Sequence, residues 1–375
     1  MTDPRRVAID VIARIDRDGA YANVVLPAVL GGSDLDDRDK AFVTELVYGS
    51  TRRRRALDHL VDRYLVQDPP PVARAALRIG THQLVELDTP PHAAVSATVG
   101  ATPKRFRGLV NAVLRKVAAA TADGVEYPDR ATELSYPDWI VDRLVADLGE
   151  ADAEAALVAM NGAAVVHRRA DGYVQDRSSQ LVAEAVPMEA GMRVLDLCAA
   201  PGGKATALAA RGATVVAVDV RPQRAGLVVA NRDRLGADTV AVVVADGRRP
   251  PFRPASFDAV LVDAPCSGLG ALRRRPDARW RIEASDVDEL AELQRQLLVA
   301  AAPLVRPGGS LVYSVCTLTR RETGDVVEAV GADPAFGELE RSRDVAGPWQ
   351  DRHGLSVLLP TAEIDGMGLA VWHRR

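Results

Sequence analysis

The sequence predicts two folds in series: an all-helical bundle over residues 1–125 and a doubly wound α/β domain over residues 169–375, joined by a helical bridge over 126–168. Three observations predict this. Apolar residues recur at helical spacing through the first third of the chain. From Arg193 onward, short Val/Leu/Ala runs alternate with helical stretches. Acidic, glycine and cysteine residues cluster directly after those runs, at the end of a strand where open α/β sheets bind ligands.

In the first part, Ala8, Val11, Ile12 and Ile15 mark one face of a helix. Leu57, Leu60, Val61, Tyr64 and Leu65 mark a second, and Leu109, Val110, Val113, Leu114 and Val117 a third. Gly31-Gly32-Ser33 and Asp68-Pro69-Pro70-Pro71 break the pattern between them. The bridge carries one helix from about Tyr136-Pro137-Asp138 through Leu148 and an acid- and Ala-rich second one to about Met160. Expected strands are Arg193–Leu197, Thr214–Val218, Val240–Ala245, Ala259–Val262 and Ser310–Val315.

Of the 375 residues, 47% are hydrophobic and only 4% aromatic, so the cores are built mainly from Val, Leu and Ala. The formal net charge of -4 excludes a uniformly basic nucleic-acid binder, although residues 1–125 carry 18 Lys/Arg against 15 Asp/Glu. No apolar run approaches the roughly 20 residues that span a bilayer, and Met1-Thr-Asp-Pro-Arg-Arg lacks the apolar stretch of a secretory signal. Cys198, Cys266 and Cys316 stand far apart, with neither a CxxC pair nor HExxH. Neither a disulfide framework nor a metal site is therefore expected, and a cytoplasmic location is.

The strand Val194-Leu195-Asp196-Leu197 runs into Cys198-Ala199-Ala200-Pro201-Gly202-Gly203-Lys204 before a helix. A glycine turn there lets backbone approach a ligand closely. Asp219 ends the next strand, 23 residues after Asp196, where an acid can accept hydrogen bonds from ribose hydroxyls. Asp246-Gly247 ends the third, placed to reach an adenine edge. Gly203-Lys204 lacks the preceding glycine of a P-loop, and GxGxxG is absent. The set predicts a nucleoside cofactor, although each acid singly is an ordinary solvated strand end.

Asp263-Ala264-Pro265-Cys266-Ser267-Gly268 and Tyr313-Ser314-Val315-Cys316-Thr317 follow two further strands, so both thiols are expected at one crevice. Cys198, inside the turn, reads as a small buried hydrophobe. Two thiols beside a cofactor suit pyrimidine C5 chemistry. C5 of cytosine is too weak a nucleophile unaided, and thiolate addition at C6 pushes electron density onto it. An acid near N3, for which Asp263 is the candidate, would stabilise the adduct. A base or second thiol must then help remove the C5 proton. A free thiol has a pKa near 8.5, so the attacking one needs local activation.

At these motifs the chain resembles the Sun/RsmB family of bacterial 16S rRNA 5-methylcytosine methyltransferases, over nearly its whole length. Arg274-Arg-Pro-Asp-Ala-Arg-Trp280, Gln175-Asp-Arg-Ser-Ser-Gln180, and Leu359-Pro360 followed by Asp365-Gly366 match further family signatures. The resemblance implies a Rossmann-like class I methyltransferase domain that uses S-adenosylmethionine. Cys316 would be the nucleophile and Cys266 would assist release; Asp263 would contact the cytosine, with Lys204 near both. Cys198 to Lys204, Asp219, Arg224, Asp246, Gly247 and Asp263 would hold the cofactor. Glu45-Leu-Val-Tyr-Gly-Ser-Thr-Arg52, Leu77-Arg-Ile-Gly-Thr-His-Gln-Leu84 and Val110-Asn-Ala-Val-Leu-Arg115 resemble the NusB-like RNA-binding domain that precedes the catalytic part in this family.

Two departures stand out. Val315 replaces the threonine usual before the nucleophile, and only Asn161–Tyr173 occupies the place of a small RNA-contacting subdomain. The expected partner is RNA, foremost 16S rRNA, bound by a monomer without metal or membrane. Arg52–Arg55 and Lys104–Arg107 are phosphate-contact candidates or solvated faces, Arg273–Arg275 a substrate-contact candidate, and Trp280 either packs or stacks. The competing readings are a catalytically silent RNA-binding or assembly factor, a methyltransferase for another RNA, DNA or a small molecule, and an exchange of roles between the two thiols.

Overall fold

The computed structural model describes residues 2–375, which form two compact units. One runs through Val141 and takes in Leu272–Arg281; the other holds Asp142–Ala271 and Ile282–Arg375.

The first unit is helical, as the spacing predicts. Its helices are Pro4–Asp18, Ala22–Gly31, Asp37–Arg52, Arg54–Asp62, Pro71–Val85, Pro91–Ala101, Arg107–Ala120 and Arg130–Leu134. Asp3 caps the first by accepting from the Arg5 N–H, and Asp36 caps the third through the Asp39 N–H. Pro71–Val85 is central: Ala75, Ala76, Leu77 and Ile79 are fully buried and belong to one core with Ile12, Leu46, Val61 and Leu114. Two details depart from the expected faces. The fourth helix ends at Asp62, where Tyr64 and Leu65 close tighter i→i−3 bonds yet still pack on the core. Leu109 is 38% exposed, because the buried stripe of its helix is Val110, Val113, Leu114 and Val117.

Residues 272–281 complete this unit. The Trp280 indole N–H donates to the Thr51 carbonyl (2.7 Å), and Arg281 donates to the carbonyls of Gly19 and Ala20. The fully buried Arg279 guanidinium lies 3.9 Å from the Tyr136 ring centroid and donates to the Arg52 (3.3 Å) and Ser135 (3.2 Å) carbonyls. Trp280 therefore packs, and Arg273, 2% exposed, is not offered to a substrate as the sequence suggested. Much of Arg52–Arg55 is likewise internal glue. Arg52 is buried, Arg53 pairs with Glu86 (2.7 Å), and Arg55 pairs with Asp138 (2.7 Å).

The second unit begins within the helix Asp138–Leu148 and continues with Glu150–Ala159 and, after residues 160–176, with Arg177–Ala185. Its sheet has strands β1 (Arg193–Asp196), β2 (Thr214–Asp219), β3 (Val240–Val244), β4 (Phe257–Asp263), β5 (Val305–Val315), β6 (Leu339–Ser342), β7 (Gln350–Arg352), β8 (Leu355–Leu358) and β9 (Met367–Arg374). The order is β3-β2-β1-β4-β5-β9-β8-β7, with β6 also on β9. The first five are parallel, as expected, and β9 joins β5 antiparallel. Register pairs Leu195 with Val260 and Val260 with Leu311, so β1, β4 and β5 end together. Strands buried on both faces explain their near-continuous apolar runs. The core joins Val194, Val215, Ala259, Leu261 and Val312 to Leu369 and Val371 of β9. Among the described residues no helix is long and apolar enough to cross a membrane.

Replacing Arg279 by alanine should cost the helical unit about 2–4 kcal/mol, since it opens a cavity and deprives two buried carbonyls of a donor. Urea unfolding followed by helical circular dichroism measures this, and a change below about 0.5 kcal/mol would show that the guanidinium is dispensable.

Candidate active site

β1, β2, β4 and β5 deliver Asp196, Asp219, Asp263 and, one residue past the strand, Cys316 to the C-terminal edge of the sheet. The chain winds one way from β1 to β3 and the other from β4 onward, so the edge between β1 and β4 is the topological switch point where ligands bind.

The glycine turn lies over this edge. The Ala199 N–H donates to the Val218 carbonyl (2.8 Å), and the Gly202 N–H to the Ala199 carbonyl (2.7 Å). Gly202 has φ of 103°, and a Cβ there would stand 3.2 Å from the Val228 Cα, so glycine is required twice over. Gly203 and Lys204 begin the helix Gly203–Ala210. Arg224 donates to the Ala200 carbonyl (3.1 Å) and lies 3.5 Å from Asp219, while Asn231 holds the exposed Pro201 through its carbonyl (2.9 Å). The Gln175–Gln180 signature packs from the other side. Arg169 bonds the Gly203 carbonyl and Gln175 together (2.5 and 3.1 Å), and Asp176 caps the helix that follows.

Asp219 is 6% exposed and accepts the Arg221 N–H (3.0 Å). Asp246, two residues beyond β3, is held by Arg248 through its backbone (2.9 Å) and guanidinium (2.8 Å). Gly247 is buried against Leu197 and Leu297. Burial first, then the charge of Asp196, pushes the Cys198 thiol far up, which disfavours its thiolate.

Asp196 is the anomaly. It is 1% exposed, and neither carboxylate oxygen has a well-aligned hydrogen-bond partner, the Cys198 N–H being only close enough to favour its charge. A buried orphaned acid under a glycine cradle, with Asp219 beside it, fits a nucleoside cofactor that carries positive charge, as S-adenosylmethionine does. Any of the residues from Cys198 to Lys204, with Asp219, Arg224, Asp246, Gly247 and Asp263, can line such a site.

The expected chemical pair is brought together. Cys266 Sγ lies 3.3 Å from Cys316 Sγ, and no disulfide joins them. The hydrogen bond to Cys316, then burial, then the Cys316 charge, keep the proton on Cys266. Lys204 Nζ donates to Asp263 Oδ2 at 2.7 Å, and Ser314 Oγ donates to Oδ1 at 2.7 Å. Burial opposes the Lys204 charge, but Asp263, Cys316 and Asp196 outweigh it and raise the ammonium above an ordinary lysine. Backbone closes the assembly. The Gly270 N–H donates to the Cys316 carbonyl (2.9 Å), and a Cβ on Gly270 would come 2.5 Å from the Gly366 oxygen.

Sequence reasoning missed Ser314, Arg169 and the polar residues behind the thiols. Ser314 immediately follows Tyr313 in a strand whose alternation could have pointed it at Asp263; Arg169 left no signal.

Burial first, then the charge of Asp263, raises the Asp196 carboxyl to about 7, whereas in the unfolded chain it titrates near 4. The folded state thus holds a proton that the unfolded chain releases. The resulting stability is fully present below about pH 4 and is lost as pH rises through about 7. Cofactor-free wild type and Asp196→Asn should therefore be closest in stability near pH 5, the variant gaining by about pH 8. Urea unfolding at both values tests this, and parallel pH dependence of the two proteins would refute it.

Comparison with known proteins agrees with this architecture. Residues 184–370 match the model of the family described as 16S rRNA methyltransferase RsmB/F, and residues 2–119 match the NusB family. Ribosomal RNA small subunit methyltransferase B of Thermus thermophilus is 36% identical over 99% of this chain and 98% of its own. Rv1407 of Mycobacterium tuberculosis, named only as a methyltransferase, is 37% identical over 96% of each chain. The crystal structure of PH0851 superposes with a TM-score of 0.76 at 21% identity, over 100% of this chain and 99% of that one, which shows a shared fold. By this extent of identity, the chain belongs to the RsmB family of 16S rRNA methyltransferases, with a NusB-family helical part ahead of its catalytic sheet.

Proposed function

We propose that the protein methylates C5 of a cytosine in RNA, foremost 16S rRNA, through a covalent bond between Cys316 and C6. The observation that carries this reading is the contact of two thiols beside the Lys204–Asp263 ion pair, at the mouth of the cofactor edge. In this reading residues 1–125 bind RNA, 126–168 bridge and 169–375 catalyse.

The residues divide the labour as follows. Cys316 attacks C6 as a thiolate, and the Lys204 ammonium, which senses the Cys316 charge, is the local activation that the sequence did not reveal. Asp263, held by Lys204 and Ser314, is fixed to relay a proton from the Lys204 ammonium to N3 as Cys316 adds to C6. S-adenosylmethionine, the cofactor, supplies the methyl group. Cys266 carries its proton while Cys316 is charged. Once the Cys316 sulfur is bonded to carbon that charge is gone, so Cys266 gives up its own proton to solvent and, as a thiolate, takes the C5 proton while Cys316 leaves as a thiolate. The Lys204 ammonium, whose charge is favoured by Cys316, supports these roles over their exchange.

A second reading has a specific observation behind it. The alignment with Rv1407 extends over 443 positions, more than the 375 residues here, and at the end of the short segment Asn161–Tyr173 an Arg168–Val174 bridge closes residues 169–173. A lost RNA-contacting segment favours a different RNA target over the loss of chemistry, because the thiol pair is intact.

Cys316→Ser should abolish methylation and leave no covalent RNA adduct, whereas Cys266→Ser should let an adduct accumulate, visible as a slowed band in denaturing gels. The reverse pattern would exchange the roles. Bisulfite sequencing of RNA from cells with and without the gene then identifies the target: one 16S cytosine losing protection supports the proposal, and no change in any RNA refutes it.

A further inference from the structure

Behind the thiols lies a carboxylate that the chemistry above does not use. Glu322 is fully buried and ends the short turn Arg320–Glu322, six residues after Cys316. Its Oε1 accepts from the Ser267 N–H (2.7 Å) and Gln294 Nε2 (3.2 Å). Its Oε2 accepts from the hydroxyls of Ser267 (2.5 Å), Thr317 (2.9 Å) and Thr319 (2.9 Å). Among the described residues no cation lies within 4.0 Å of it.

The donors are the point. Ser267 follows Cys266 directly, Thr317 follows Cys316 directly, and their hydroxyls are themselves 2.9 Å apart. One acceptor-only group thus grips the residue next to each thiol at once. From behind, the Tyr313 hydroxyl bonds both Gln294 (2.9 Å) and the Glu322 carbonyl (2.6 Å). A carboxyl group without a counter-ion is costly to bury, so five donors converging on it imply a task that an amide or apolar group would do less well. An amide accepts on one side only, so either the Ser267 N–H and Gln294 or the three hydroxyls would lose their acceptor.

We propose that Glu322 is the positioning residue that clamps the two cysteine loops together and sets the separation of the Cys266 and Cys316 thiols. The proposal rests on the two-thiol reading for its catalytic meaning, but not for its geometry. The Glu322 charge also adds to what keeps the proton on Cys266, after the Cys316 hydrogen bond, burial and the Cys316 charge.

The test compares full-length wild type with Glu322→Gln in three measurements. The rate of Cys266–Cys316 disulfide formation with the thiol oxidant diamide, read by peptide mass spectrometry, reports thiol proximity without RNA or cofactor. It should fall about tenfold or more, the lost proximity outweighing the easier ionisation of Cys266 once the Glu322 charge is gone, and kcat should fall about tenfold to a hundredfold. KM for RNA and the Kd for S-adenosylmethionine should stay within about twofold, a split that general unfolding would not give. Unchanged disulfide and turnover rates would overturn the clamp, as would loss of cofactor affinity in step with kcat. Should Glu322→Gln not fold, Thr317→Val and Ser267→Ala each remove one hydroxyl donor and should slow disulfide formation by a few-fold; wild-type rates in both overturn the proposal. If disulfide formation slows while Cys316→Ser still methylates, the clamp stands and the two-thiol chemistry is what fails.

Discussion

Parallel register among β1, β4 and β5 brings Asp196, Asp263 and Cys316 to one edge, and almost everything distinctive about the site follows from it. Strand-end acids are ordinarily hydrated. Here the glycine turn and the helix it starts cover them, so the charge must be settled inside the protein. Lys204 is the cation available, and it answers Asp263 directly while sensing Asp196 and Cys316. Asp196 is left over, and burial resolves that by moving it toward its neutral form.

Proton placement then becomes the organising theme of the site. Two thiols in contact cannot both ionise cheaply, and a nearby ammonium and a buried carboxylate bias which one does. The ammonium favours charge on Cys316, and the hydrogen bond with Cys316, reinforced by burial and Glu322, favours a proton on Cys266. The asymmetry of the proposed roles thus has a basis in the surroundings, although the two side chains are chemically identical.

Much of this was legible in the sequence, for identifiable reasons. Val194–Leu197 followed by a double glycine is a local pattern, so the strand, the turn and the helix could be read in order. Cys266 and Cys316 could be assigned to one crevice because parallel strands in a doubly wound sheet share a functional edge. Glu322 could not. Its meaning lies in Ser267, 55 positions away, and nothing in Arg-Arg-Glu-Thr distinguishes a buried acceptor from a surface acid. The arginines misled in the opposite sense. Arg52 and Arg273 belong to basic runs that read as phosphate- or substrate-contact candidates, but both are buried, and nearby Arg279 answers carbonyls and an aromatic ring brought together only by tertiary packing.

Residues 272–281 sit in the chain amid the catalytic sheet but belong, by packing, to the helical unit. Synthesis proceeds from the N-terminus, and domains generally form as they emerge. This one emerges incomplete. Until Arg279 and Trp280 have been made, the carbonyls of Thr51, Arg52 and Ser135 lack the donors they have in the finished protein. The helical unit thus matures only after β1 to β4 have left the ribosome, which ties the timing of its completion to that of the sheet.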